Sequence, residues 1–148
     1  MWTELISELF PEAQFEPPGS DARLGATEGA LAQPIPSDLK ELLREADGVR
    51  GEFDVDVVWS SERIARDNAD FRSRPDFADL YDPFGDLIFF GDNGGGDQFA
   101  FKADPAEPGV FVWEHETDGR RRVADDLRDY LEKCLTSEDD EWYVEDED

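Results

Sequence analysis

Three observations predict that this chain folds as a single α+β domain with a mostly antiparallel sheet packed against helices. Helical patterns occupy most of the first half, strand patterns cluster between residues 86 and 116, and a further helical pattern follows them. Short turns join the clustered strands, whereas parallel strands would need long crossovers. The 148 residues suffice for one core. We expect this domain to cover residues 1–135 and an acidic C-terminal tail to cover 136–148.

Four helices are predicted from apolar residues that recur every three or four positions. They cover residues 2–10, 37–48, 60–72 and 122–135. The stretch 15–36 is rich in proline and glycine, so we expect it to be irregular apart from a helical turn around 27–31. The stretch 73–86 also contains prolines and is expected to be irregular.

Four strands are predicted over residues 52–60, 86–90, 97–102 and 108–116. In the first, Phe53, Val55, Val57 and Trp59 share one face while Asp54 and Asp56 point the other way, which predicts a half-buried strand. The second is a continuous apolar run, which is typical of a strand covered on both faces. A hairpin-like turn is predicted at residues 118 and 119.

The glycine-rich loop GDNGGG, residues 91–96, could bind a ligand or simply reverse the chain. A phosphate-binding loop needs a lysine and a hydroxyl after the last glycine, but Asp97 and Gln98 follow here. A dinucleotide fingerprint needs a helix next, yet the following residues alternate like a strand. We therefore predict a turn between two antiparallel strands. A calcium-dependent binding module that uses Asp92, Asn93 and Asp97 remains an alternative.

No catalytic or cofactor-binding constellation stands out. His115 is the only histidine and Cys134 the only cysteine, so a zinc set cannot be assembled from them. The nucleophile elbow G-x-S-x-G is absent. We predict no cofactor and no bound metal. A small hydrolase that uses a pair of acids stays open, because the chain contains many carboxylates.

The charge of the chain is strongly negative. It carries 39 Asp and Glu against 14 Lys and Arg, for a net charge of −25. Such a surface repels nucleic acid and anionic membranes and attracts basic protein partners. Adaptation to a salty cytoplasm explains the same charge equally well.

The sequence also predicts a cytoplasmic location. No apolar run approaches the roughly 20 residues that span a bilayer. The first residues are acidic where a signal peptide is positively charged. The single Cys134 fits a reducing compartment.

Three segments together resemble a known family. The first contains a proline, then an acidic helix and a glycine, and reads IPSDLKELLREADGV. The second joins two predicted strands through a glycine turn and reads LIFFGDNGGGDQFAFK. The third, VFVWEHETDGRRRVADDLRDYLEKCL, is a strand, a turn and a closing helix. The matching residues of the first two are Pro36, Leu39, Leu43, Gly48, Phe89, Gly91, Gly95 and Phe99. Over residues 27–135 the chain resembles the SUKH superfamily, in the branch typified by a yeast cell-wall-synthesis regulator.

This resemblance implies an α+β protein that is not an enzyme. Many bacterial members of the superfamily are immunity proteins that bind and neutralise a cognate toxin, often a nuclease. We therefore expect a non-enzymatic protein-binding domain whose partner is a basic toxin domain. The partner-binding candidates are polar and aromatic residues expected to be exposed: Asp54, Asp56, Asp92, Asn93, Asp97, Trp113, Glu114 and Glu116.

Overall fold

The computed structural model describes residues 1–104, 106–137 and 142–143, and these form six α-helices and seven β-strands. The helices are α1 (Trp2–Leu9), α2 (Asp21–Leu31), α3 (Ser37–Glu45), α4 (Ser61–Ser73), α5 (Pro75–Leu80) and α6 (Leu127–Thr136). The strands are β1 (Gln14–Phe15), β2 (Val49–Arg50), β3 (Asp56–Val58), β4 (Leu87–Asp92), β5 (Gln98–Lys102), β6 (Val110–Glu114) and β7 (Gly119–Ala124). Strands β1 to β3 form one antiparallel sheet and β4 to β7 another, each in chain order. The predicted α+β class is confirmed.

Two helices form where irregular structure was predicted. Within 15–36, helix α2 begins after Ser20, whose side chain accepts a hydrogen bond from the backbone N–H of Arg23 at 3.1 Å. The helical turn predicted around 27–31 lies inside α2, but two glycines weaken the helical pattern, which is why the rest of this helix was not predicted. Within 73–86, helix α5 starts at Pro75, a first-turn position that suits proline.

The predicted strand 52–60 forms only in its central part. Strands β2 and β3 are antiparallel neighbours, so the chain must reverse direction between them. It does so through a 3-10 turn at Glu52–Asp54, where Phe53 and Asp54 adopt left-handed backbone conformations with φ of 58° and 61°. The first residues of the alternating apolar pattern therefore lie in a hairpin loop, and the Phe53 side chain is exposed instead of buried.

The last helix begins later than the predicted range 122–135. Residues Gly119–Ala124 form the edge strand β7, and α6 begins at Leu127. Asp126 caps this helix, because its side chain accepts a hydrogen bond from the backbone N–H of Asp129 at 2.8 Å. The turn predicted at residues 118 and 119 is confirmed, since β6 and β7 pair across it.

The two sheets meet where β3 lies beside β4. The backbone N–H of Trp59 donates to the carbonyl of Phe90 at 2.7 Å. From α6, the Tyr130 hydroxyl donates to the carbonyl of Val57 at 2.7 Å. Gly91 permits this approach, because a Cβ built there would lie 2.2 Å from the Val57 oxygen. One apolar core therefore extends under both sheets.

Asn68 joins helix α4 to strand β4 inside this core. Its fully buried side chain accepts a hydrogen bond from the N–H of Phe89 at 2.8 Å and donates to the Phe89 carbonyl at 2.9 Å. It also donates to the carbonyl of Ile64 at 2.7 Å. As its apolar run predicted, β4 is buried along nearly its whole length.

Most of the predicted acidic tail, residues 136–148, lies outside the described residues. Two of its described residues pack against the domain: the Trp142 ring stacks on Phe99 with 5.5 Å between ring centroids, and Tyr143 is buried. Among the helices described, none has the length and apolar character needed to cross a bilayer.

Candidate functional site

The glycine-rich loop is a turn between β4 and β5, as predicted, and its polar side chains hold it in shape. Asp92 accepts a hydrogen bond from the N–H of Gly94 at 2.7 Å, and Asn93 accepts one from the N–H of Gly95 at 2.8 Å. Gly94 and Gly96 have φ of 82° and 107°, which side chains other than glycine adopt at a cost. The loop therefore needs both its glycines and its Asp–Asn pair.

Asp92 also belongs to a charged network that includes the predicted contact residue Asp56. It accepts a hydrogen bond from the indole N–H of Trp59 at 2.7 Å and lies 3.2 Å from the Arg63 guanidinium. Arg63 pairs with Asp56 at 2.8 Å and covers the Trp59 ring at 4.2 Å. Burial raises the pKa of Asp56, and the Arg63 charge opposes that rise. The two carboxylates thus share one guanidinium, which braces α4 against the sheets.

Asn93 and Asp97 together hold Tyr143. The Asn93 amide donates to the Tyr143 hydroxyl at 2.8 Å, and this hydroxyl donates to Asp97. The ring Nδ1 and the backbone N–H of His115 lie 2.7 and 3.1 Å from the same Asp97 carboxylate. Burial alone would raise the pKa of Asp97, but these hydrogen bonds lower it overall. Asp97 is therefore an internal acceptor that fixes Tyr143 to the loop.

The oxygens proposed as calcium ligands are thus already used by hydrogen-bond donors of the chain. Asp92, Asn93 and Asp97 each accept at least one N–H or O–H donor. Within the described ranges, no group of three or more His, Cys, Asp or Glu side chains is arranged to hold a metal ion.

Trp113 does not provide the exposed aromatic contact that was predicted. Only 4% of it is exposed, and its ring packs 5.1 Å from Tyr81 and 5.4 Å from Phe84, measured between centroids. The expectation was wrong because the segment containing α5, predicted to be irregular, folds over this face of β6. The Trp113 indole N–H donates to Asp118 at 2.8 Å.

The remaining acidic candidates lie in different parts of the surface. Glu114 is half-buried and pairs with Arg121 at 3.3 Å, whereas Glu116 is exposed in the turn between β6 and β7. Asp54 is exposed in the hairpin loop between β2 and β3. Partner binding through any of these residues stays a prediction.

Asp118 offers a test of the polar contacts around Trp113. Burial tends to raise its pKa, but hydrogen bonds from the Asp82 N–H, the Trp113 indole and Arg120 lower it overall. A carboxyl group whose pKa is lower in the folded than in the unfolded state stabilises the fold at pH values above its unfolded pKa, which is about 3.9 for Asp. This contribution disappears as the pH falls through the pKa of the folded state. We expect Asp118→Asn to cost about 1–2 kcal/mol near neutral pH and much less at about pH 2.

Urea unfolding at the two pH values would measure this effect. Asp79→Asn is the matched control, because Asp79 is exposed on α5. We expect the control to change the free energy of unfolding by less than about 0.5 kcal/mol at either pH. An Asp118→Asn cost that is equal at both pH values would contradict the assignment.

The sequence did not indicate an apolar cleft beside the hairpin loop. This Phe53 cleft has a volume of about 170 Å³. Its apolar walls consist of Phe10, Val55, Val57, Phe99, Leu135 and Trp142. Tyr130 and Cys134 contribute from α6, and the cleft is also bordered by Glu52, Phe53, Asp92, Asn93 and Ser137. Burial raises the pKa of Cys134 to about 12, so the thiol is protonated and behaves as an apolar group.

Phe53 is the most unusual residue of this cleft. Its side chain is 90% exposed, and its backbone has a φ of 58°. The left-handed conformation costs a bulky residue roughly 1–2 kcal/mol. Strain of this kind is found preferentially at functional sites, where the surrounding structure maintains it. The exposed ring and the strained backbone together mark the loop as a candidate binding surface.

We expect Phe53→Gly to stabilise the fold, by up to about 1 kcal/mol. Glycine adopts the left-handed conformation without steric cost, and its greater freedom in the unfolded chain offsets only part of that gain. Phe53→Ala keeps most of the backbone strain and is the control, with an expected change of less than about 0.5 kcal/mol. Urea unfolding would measure both, and a loss of more than about 1 kcal/mol in each variant would show that the ring contributes to packing.

The class that these features define is a small α+β protein in which two antiparallel sheets and their helices share one core. Asp92 and Asn93 hold the glycine-rich loop, His115 contacts Asp97, and Arg63 links helix α4 to Asp56 and Asp92. The chain belongs to the SMI1/KNR4 family (SUKH-1), whose family model matches residues 18–133. The predicted SUKH membership is confirmed, while the yeast-regulator branch stays a prediction. No curated protein matches the chain.

Proposed function

We propose that this protein is a non-enzymatic immunity protein that binds and neutralises a basic toxin domain. Family membership supports this proposal, since a SUKH domain is consistent with such a function. The partner in this proposal is a protein, because the same negative field repels the phosphates of nucleic acids and anionic membranes.

The observation that carries the proposal is negative charge that the protein does not neutralise itself. Carboxylates of the same chain already form ion pairs with most of its cationic side chains. These cations are Arg23, Lys40, Arg44, Arg50, Arg63, Arg66, Arg74, Lys102, Arg120, Arg121, Arg122, Arg128 and Lys133. Since 39 acids face only 14 Lys and Arg, most of the remaining carboxylates have no cation of this chain left to pair with.

This excess suits a partner whose active surface is basic. A nuclease binds phosphates through Lys and Arg, and an acidic protein seated on that surface blocks access to nucleic acid. Long-range attraction accelerates the encounter, and this acceleration weakens as salt screens the charges. Exposed acids such as Asp54 and Glu116 are suited to this role, whereas Asp92, Asn93 and Asp97 support the fold beneath them.

The test uses a toxin-like domain sought among the genes that neighbour the gene for this protein. The purified domain is assayed for nuclease activity on plasmid DNA while the full chain is titrated in. Calorimetry measures binding and stopped-flow tryptophan fluorescence measures the association rate, each at low and high salt. We expect stoichiometric inhibition and an association rate that falls steeply with salt. Polyglutamate of matched total charge is the control for charge alone.

Two outcomes would contradict the proposal. In the first, the toxin-like domain does not bind, and the free energy of unfolding of this protein rises strongly with salt. That result would favour adaptation to a salty habitat. The second is equal inhibition by polyglutamate, which would show that the fold contributes no recognition.

A further inference from the structure

We infer that the Phe53 cleft binds a single aromatic or large aliphatic side chain that the protein partner presents beside lysine or arginine. The inference rests on the proposed function for the nature of the partner. It adds the surface that makes the contact and the chemistry that this surface recognises.

The size of the cleft sets the size of its occupant. An apolar cavity of about 150 Å³ in a protein is large enough to bind benzene. The Phe53 cleft, at about 170 Å³, has a similar capacity, and its walls include Val55, Leu135 and the ring of Trp142. One phenyl or branched aliphatic group therefore fits it, whereas a whole helix face does not.

The rim determines the charge of the occupant. Glu52 and Asp54 lie on either side of Phe53 in the chain, and both are exposed. Within the described ranges, neither carboxylate forms an ion pair with Lys or Arg. Glu52 borders the cleft and Asp54 is exposed two residues further along the same loop, so a cationic residue next to the inserted side chain would meet carboxylates there, which favours a basic segment over a neutral or acidic one.

The Phe53 ring is held ready for contact. The N–H of Gly51 donates to the carbonyl of Val55 at 2.9 Å, and the N–H of Val55 donates to the carbonyl of Glu52 at 3.2 Å. These bonds close the hairpin loop and keep the ring at the rim. Aromatic residues, Phe included, are enriched at protein interfaces, and a preformed loop loses little entropy on binding.

The wall of the Phe53 cleft that Trp142 forms depends on the glycine-rich loop. Trp142 stacks on Phe99, and its neighbour Tyr143 is held by Asn93 and Asp97. Asn93 and Asp97, both predicted as contact residues, therefore position the Trp142 wall, and Asn93 also lines the cleft itself.

The test uses NMR on the uniformly ¹⁵N-labelled full chain with three five-residue amidated peptides at low salt. In the first peptide, two lysines flank a phenylalanine on each side. The second replaces that phenylalanine with alanine, and the third replaces the lysines with glutamates.

We expect the first peptide to shift the Trp142 indole signal and the amide signals of Phe53 and Val55 saturably. Its affinity should exceed that of the alanine peptide by about tenfold, because one buried apolar side chain contributes at least that much. The glutamate peptide should cause no saturable shift at these positions.

Matched variants complete the test. Phe53→Ala should reduce the affinity for the phenylalanine peptide about tenfold, whereas Leu80→Ala, which truncates another exposed apolar residue on α5, should leave it unchanged. Equal binding of the phenylalanine and alanine peptides, an unchanged affinity in Phe53→Ala, or the absence of saturable shifts at the cleft would overturn the inference.

Failure of this inference is distinguishable from failure of the proposed function. A toxin domain that binds wild type and Phe53→Ala equally well would overturn the cleft assignment and leave the immunity function standing. A toxin domain that binds neither protein would contradict the proposed function itself.

Discussion

Replacing Gly91 with alanine is expected to lower the free energy of unfolding by at least about 4 kcal/mol, or to prevent folding. The added Cβ would lie 2.2 Å from the carbonyl oxygen of Val57 and 3.0 Å from the Tyr130 hydroxyl. The nearest of these atoms belongs to the backbone of β3, so a side-chain rotation cannot relieve the clash. β3 would have to move away from β4, which would break the bond between Val57 and Tyr130 and the bond between Trp59 and Phe90.

Urea unfolding followed by tryptophan fluorescence would measure this loss. Gly29→Ala is the control, because no atom lies within 4 Å of a Cβ built at this position in helix α2. Alanine favours the helix over glycine, so the control should gain about 0.5–1 kcal/mol. A Gly91→Ala variant as stable as wild type would show that β3 and β4 can separate at little cost.

Asn68→Ala is expected to cost about 3–5 kcal/mol. The change removes three hydrogen bonds and leaves the N–H of Phe89 and the carbonyls of Phe89 and Ile64 without their side-chain partner inside the core. Each buried polar group left unsatisfied costs about 1–3 kcal/mol. We expect the midpoint of urea unfolding to fall, while the slope of the unfolding free energy against urea concentration changes little.

Two further variants separate this hydrogen bonding from simple loss of volume. Asn68→Asp keeps an acceptor for the Phe89 N–H but cannot donate to the two carbonyls when ionised, so near neutral pH it should be at least as unstable as Asn68→Ala. Ser73→Ala is the control on the same helix, because the Ser73 hydroxyl bonds to the Ala69 carbonyl at an exposed position. We expect it to cost less than about 0.5 kcal/mol, and a similar cost for Asn68→Ala would contradict the proposed role of the amide.

The fold class could be predicted because it depends on the order of strong local patterns. The continuous apolar run of β4 and the glycine turn after it are both readable from neighbouring residues. Helix α2 was predicted only as a turn around 27–31, since its glycines weaken the local pattern while tertiary contacts bury Leu24 and Leu31. Propensity is a weak guide where packing decides the outcome.

The candidate site was harder to predict than the fold. Asp92 and Asn93 stood out because polar residues beside glycines are suited to ligands, but the same residues are suited to building a turn. Phe53 was expected to be buried because it shares an alternating pattern with Val55 and Val57. Only the pairing of β2 with β3 shows that this alternation ends in a hairpin loop. The cleft itself joins residues from distant parts of the chain, which no local pattern can bring together.

The walls of the Phe53 cleft have two different origins. Val55, Val57 and Phe99 lie within the segment that the family model matches, residues 18–133. Phe10 and Trp142 come from segments before and after it. A common framework can therefore keep its strand pairing while changes at either end of the chain reshape the recess. On the inference that the cleft binds the partner, substitutions in these two segments would change what it recognises without disturbing the strand pairing of the scaffold.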